Sequence, residues 1–187
     1  MEEWINTMKW MIASDIHGSV YYAKKMLEAF EREKADKLLL LGDLLYHGPR
    51  NDLPRDYDPK QVITVLNERK EQILCVRGNC DSEVDQMVLE FPIMAEYAVI
   101  ALGKNMIYAT HGHVYGDQNP PLLHKGDVLL HGHTHVPACE ERENYLYCNP
   151  GSVSIPKENS HHGYMILEND HFIWKDLDGN QVMEKVL

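Results

Sequence analysis

Three short apolar runs constrain this chain more than any other feature. Residues 9–14 (Lys-Trp-Met-Ile-Ala-Ser), 37–41 (Lys and four leucines) and 73–77 (Ile-Leu-Cys-Val-Arg) read as short buried strands. Between the first two, from Ser19 onward, Ala23, Met26, Leu27 and Phe30 fall on one helical stripe, with Lys24, Lys25, Glu28 and Glu31 away from it. A loop rich in Pro, Asp and Arg (residues 47–58) follows the second run. It leads to a helix with Asp58 as N-cap, Pro59 at its first position, and Val62, Ile63 and Leu66 inward. Strand, helix, strand, helix, strand predicts right-handed crossovers and a largely parallel sheet.

Beyond residue 81 the pattern changes. Ser82-Glu83-Val84-Asp85 has the spacing of a capping box for a short helix. The remainder reads as strands near residues 97–102, 105–111, 128–131, 138–141, 145–149, 163–168, 171–175 and 181–186. Gly103-Lys104-Asn105, Glu143-Asn144 and Asn169-Asp170 suit hairpin turns. With 187 residues and no repeat, low-complexity tract or linker, a single domain spanning 1–187 is expected, residues 1–8 forming a short extension.

Composition removes several classes of function. No apolar run approaches the roughly 20 residues that span a bilayer. The acidic start, Met1-Glu2-Glu3-Trp4, lacks the basic and apolar segments of a signal peptide, so a cytoplasmic protein is expected. A net charge of −11 opposes stable binding of nucleic acid, although bound divalent cations would invert the field locally and admit a phosphate. Cys75, Cys80, Cys139 and Cys148 show no C-x-x-C spacing, which argues against disulfides and structural zinc. A homo-oligomer is left open.

Ligands of open sheets gather beyond the carboxyl ends of strands. Asp15 and His17 follow the first run, Asp43 the second and Asn79 the third; His111 follows a later strand, and His133 and His135 another. Oxygen and imidazole donors without thiolate suit Mn²⁺, Fe, Ni²⁺ or Zn²⁺ at a catalytic centre. The i, i+2 pairs Asp15/His17 and His133/His135 would share a side if the chain were extended there. One ion would leave donors over, so two ions fit, and Asp43, alone on its turn, is the natural bridge between cations about 4 Å apart.

In their order, Asp15-x-His17, Gly42-Asp43, Gly78-Asn79-Cys80-Asp81, His111 and Gly132-His133-x-His135 resemble the five blocks of the calcineurin-like metallophosphoesterase superfamily. Asp15-Ile16-His17-Gly18-Ser19, His47-Gly48-Pro49-Arg50-Asn51, residues 76–87 and 149–157 are similar to the bacterial phosphodiesterases of the YfcE type. The resemblance implies an α/β (α+β in some schemes) fold, a four-layer αββα sandwich of two mixed sheets flanked by helices. It also implies two divalent ions, manganese foremost, with nickel, iron, zinc, magnesium or cobalt as alternatives. Asp15, His17, Asp43 and His135 would hold one ion, and Asp43, Asn79, His111 and His133 the other. The ions would activate a water for in-line attack on the phosphorus of a small phosphoester, most simply a diester.

Most members of the superfamily carry a histidine where this chain has Cys80. The thiol reads as a general acid, as a small filler, or as a redox-sensitive group. Asp81 reads as support for the site behind the ligands. Arg50 suits either a phosphate clamp or a solvated loop residue, His113 either a substrate contact or a surface position, and Arg77 could face either way. Asn149-Pro150-Gly151-Ser152 reads as a turn whose amides could brace the ligand loops. Rival functions are a phosphomonoesterase or nucleotide pyrophosphatase on the same site, and a protein-binding scaffold like the retromer subunit of this fold.

Overall fold

The computed structural model describes residues 8–187, so the expected extension lies, but for Met8, outside the described residues. The three apolar runs form β1 (Trp10–Ala13), β2 (Lys37–Leu40) and β3 (Ile73–Cys75), all parallel, with Ile12 beside Leu39 and Leu39 beside Leu74. β3 stops short of the expected Arg77, whose N–H has left the sheet for the Ala95 carbonyl. Helices α1 (Val20–Glu33) and α2 (Pro59–Asn67) connect the three strands. Ser19 caps α1 by accepting from the Tyr22 N–H, and Asp58 caps α2 by accepting from Gln61. α3 (Glu83–Gln86) begins at the expected capping box, with Ser82 and Asp85 bonded reciprocally.

The later strands are β4 (Tyr97–Leu102), β5 (Asn105–Thr110), β6 (Asp127–His131), β7 (Pro137–Glu141), β8 (Tyr145–Pro150), β9 (Gly163–Glu168), β10 (His171–Asp176) and β11 (Gln181–Val186). They complete one sheet in the order β11-β10-β9-β1-β2-β3 and build a second in the order β4-β5-β6-β8-β7. Both sheets are mixed: β9 runs antiparallel to β1, while β5, β6 and β8 run parallel to one another. β8 takes in Asn149 as expected of the strand and runs one residue further, through Pro150, expected in the turn that follows.

The two-residue period of a strand explains the two cores. Met11, Ala13, Leu38 and Leu40 pack with Ala23, Met26, Phe30, Val62 and Leu66 of the helices. Ile12, Leu39 and Leu41 pack with Ile107, Ala109, Val128, Leu130, Cys148, Phe172 and Trp174 in the space between the sheets. The centre of the first sheet is thus covered on both faces, which is why β1 and β2 are continuously apolar rather than alternating. Each leucine, isoleucine, valine, methionine or phenylalanine among these core side chains contributes about 1.5–3 kcal/mol on burial. Over the outer face of the second sheet lies the loop of residues 112–126. Tyr115 O accepts from Thr110 Oγ1, the Asp117 N–H donates to His131 Nε2, and Asp117 accepts from Tyr145 OH.

Candidate metal centre

The expected ligand residues come together beyond the carboxyl ends of the parallel strands of both sheets. Their backbone is unusual: Asp15 (φ 59°), His17 (50°), Asp43 (57°), His133 (65°) and His135 (63°) are all left-handed without being glycine. Each such residue costs about 1 kcal/mol or more and persists where the surroundings over-determine it. This corrects the expectation that the i, i+2 pairs converge because the chain is extended. The two residues of each pair face the site through tight left-handed turns. Close packing completes the turns, since a Cβ on Gly78 would lie 2.1 Å from Asp43 Oδ1 and one on Gly132 2.0 Å from Ser14 Oγ.

Three imidazoles are oriented by the main chain. Nδ1 of His17 donates to Tyr46 O (2.7 Å), that of His111 to Leu41 O (2.6 Å) and that of His135 to Ile155 O (2.6 Å). A carbonyl can only accept, so the proton sits on Nδ1 and each Nε2 is turned inward. There His17 Nε2 lies 3.3 Å from His135 Nε2, and His111 Nε2 lies 3.1 Å from Asn79 Oδ1 and 3.2 Å from His133 Nδ1. His133 therefore presents its other nitrogen.

The carboxylates lie among these nitrogens. Asp15 Oδ1 is 3.2 Å from His135 Nε2 and 3.5 Å from His17 Nε2, and it is buried without a hydrogen bond. Asp43 Oδ2 is 3.7 Å from His17 Nε2 and 3.4 Å from His111 Nε2, so it stands between the two histidine groups. Donor atoms of Asp15, His17 and His135 lie within 4.8 Å of one another, as do those of Asp15, Asp43 and His111. An orphaned buried carboxylate oxygen facing inward lone pairs is the arrangement a divalent cation satisfies, and the oxygen and imidazole donors suit one. Without a cation the cluster holds protons instead. Burial opposes charge on His111, but Asp43 and Asp15 outweigh it and push the ring up to about 9. Burial and the charged His111 press His133 down to about 4.

Asp81 touches the site through the backbone: its carboxylate accepts N–H bonds from Asp43 (2.8 Å), Leu44 (2.9 Å) and Gly78 (2.7 Å), locking two ligand turns together. Cys80 gives its own N–H to Asp43 Oδ1, and its sulfur accepts from Asn79 Nδ2 at 3.3 Å. Its thiol lies close enough to His17 and Asp43 to share an ion with them. The cluster opens into a cleft of about 350 Å³ that Arg50 and Cys80 line. Exposed His113 stands instead in an adjoining cleft with Arg77 and Asn79, its ring 5.3 Å from that of His111. Arg77 Nε donates to Asp81 O.

Sequence reasoning missed Lys157, a second cation lining the Arg50 cleft. The signal lay in the Ile155-Pro156-Lys157 end of a block already noted. The bracing from residues 149–154 comes from side chains as well as amides. Asn149 Nδ2 donates to Gly132 O and Thr134 Oγ1, while Ser152 and Ser154 hydroxyls donate to Asp15 O.

Carboxylate, carboxamide and imidazole donors at the open edge of two mixed sheets define a metal-dependent hydrolase with its reacting centre exposed to substrate. Residues 8–171 match the family model of the calcineurin-like phosphoesterase superfamily domain, and the chain belongs to that family of phosphoester hydrolases. It is 50% identical over 163 residues, 87% of this chain and 89% of the other, to the protein named Phosphodiesterase YfcE of Escherichia coli K12. A solved structure of Yfce, described as a phosphoesterase from E. coli, superposes with a TM-score of 0.92 at 47% identity, covering 96% of this chain and 99% of that one. Vacuolar Protein Sorting 29 from Cryptosporidium parvum, at 18% identity and a TM-score of 0.61 over 97% and 99% of the two chains, shares the fold alone. Among the described residues no helix is long and apolar enough to cross a membrane.

Proposed function

We propose that this chain hydrolyses small phosphodiesters with two divalent ions, manganese foremost, held by Asp15, His17, Asp43 and His135 and by Asp43, Asn79, His111 and His133. The observation that carries the reading is the place of Asp43 Oδ2 between His17 and His111, where one carboxylate serves both donor groups. When bound, the ions would supply Lewis acidity towards the phosphoryl oxygens and a water acidified enough to act as nucleophile. The chain's own residues do the rest. Backbone carbonyls keep the Nδ1 protons of His17, His111 and His135, so their Nε2 atoms stay basic and inward. Asn79 contributes an uncharged oxygen, which adds no repulsion towards an anionic ester. Arg50 and Lys157 place positive charge in the cleft to meet the phosphoryl oxygens.

The diester preference rests on likeness to the E. coli phosphodiesterase. A small molecule rather than nucleic acid is the substrate we infer, given the charge of −11. We place the protein in the cytoplasm, in keeping with four cysteines that show no C-x-x-C spacing. Diesters, monoesters and pyrophosphates assayed side by side on manganese-loaded protein are expected to show diesters turned over fastest. In the same assay Asp43→Ala is expected to lose about 10³-fold in kcat/KM. Equal rates for variant and parent would sink the proposal, as would a single anomalous peak beside Asp43 in a metal-loaded crystal.

A further inference from the structure

Linear spacing hides a cysteine pair that the second sheet brings face to face. Cys139 of the edge strand β7 lies directly opposite Cys148 of β8 in an antiparallel ladder that also pairs Pro137 with Pro150. Prolines have no N–H, so the Pro137–Pro150 pair cannot exchange two N–H···O bonds and belongs to the close, non-hydrogen-bonded class. Classes alternate along a ladder, which puts Cys139 and Cys148, two residues on, in the close class as well. The hydrogen bond from the Arg142 N–H to Tyr145 O, at odd spacing from Cys139, agrees with that phase. Close pairs hold their Cα atoms about 4.5 Å apart, at the near end of the about 4.4–6.8 Å that a disulfide spans.

We propose that Cys139 and Cys148 form a reversible disulfide site, closed by a peroxide as oxidant. Cys139 is half-buried and Cys148 fully buried, so the edge-strand sulfur meets the oxidant first. The hydrogen bond from the Cys148 thiol to Cys139, with Lys185 nearby, favours the Cys139 thiolate and brings its pKa down to about 7. That thiolate attacks one peroxide oxygen, the O–O bond breaks, and Cys139 becomes a sulfenic acid as hydroxide leaves and takes up the proton the thiol had released, giving the first water. The Cys148 sulfur then attacks the sulfenic sulfur, the S–S bond forms, and a second water departs carrying the Cys148 proton. Two thiols and hydrogen peroxide thus become one disulfide and two waters. The bond would staple β7, which begins two residues after His135, to the strand whose Asn149 holds the Gly132 and Thr134 turn.

The test treats the full chain with hydrogen peroxide and maps its peptides without reduction. The expected product is one linked peptide pair containing residues 139 and 148, an intact mass lower by two hydrogens, and full reversal by dithiothreitol. Closing so short a loop should raise Tm by about 5 °C in the oxidised protein. The rise should vanish in Cys139→Ala, where no linked pair can form. Oxidation that stops at sulfinic acid on Cys139, links Cys80 or joins two chains would overturn the proposal, as would a Tm rise that persists in Cys139→Ala.

Discussion

Cys80 stands where the resemblance to calcineurin-like phosphoesterases leads us to expect a histidine. Burial, then the neighbouring Asp43 carboxylate, pushes its thiol up to about 12. In the metal-free protein the sulfur therefore stays protonated, with a pKa far above the near-neutral value that suits a general acid, which favours the filler among the three roles open to it. Cys80→Ser is expected to keep kcat within about 3-fold of the parent, with a superimposable pH–rate profile from pH 6 to 9. Cys80→His is expected to raise turnover of esters with poor leaving groups by about 10-fold or more, measured against one with a good leaving group. A Cys80→Ser enzyme that lost most of its rate would return the thiol to the role of acid. Residues with donor chemistry were legible in the sequence because each follows a recognisable strand end. Their left-handed φ was not, since Asp15 and His133 carry no local signal such as glycine. Lys157 escaped because its loop reaches the cleft only through the tertiary fold.

Elements carry the site as firmly as its ligands do. The Asn149 amide at the end of β8 ties two acceptors of the turn between β6 and β7, on which His133 and His135 sit. Asn149→Ala is expected to weaken metal affinity about 10–100-fold while leaving the secondary structure intact, as read by calorimetric titration and circular dichroism. Away from the site, Glu33 at the end of α1 accepts from Lys175 Nζ of β10 and Tyr164 OH of β9. Burial opposes its ionisation, but Lys175 and Tyr164 prevail and hold the carboxyl below its ordinary range. A depressed folded-state pKa stabilises above the unfolded value of about 4.5 and is lost as pH falls through the folded one. Glu33→Gln is thus expected to lower Tm by about 3 °C at pH 7, with the gap narrowing below pH 4 in thermal melts. The strands themselves were readable from apolar runs and turn residues. Which strands share a sheet was not, because the β1–β9 pairing joins residues more than a hundred and fifty positions apart.

Across the whole molecule, the cation site couples stability to metal and to pH. Five of the expected ligand residues held left-handed, a buried orphaned carboxylate oxygen and a net charge of −11 all make the metal-free state costly. A ligand that binds only the folded chain adds about 2.7 kcal/mol at a hundredfold excess over its Kd, which for a chain of this length is roughly 5–10 °C in Tm. The metal-free protein instead keeps a proton on His111, raised to about 9 chiefly by Asp43 and Asp15 against the pull of burial. A raised folded-state pKa stabilises fully below the unfolded value of about 6.5 and is lost as pH climbs through about 9. Metal must displace that proton, so the apo protein is expected to lose Tm from pH 6.5 to 9 while the gain from manganese grows over the same interval. Melts with manganese or with chelator at several pH values read both slopes. His111→Asn should flatten the apo slope and shrink the manganese gain, whereas a gain independent of pH would show that metal and proton do not compete for His111.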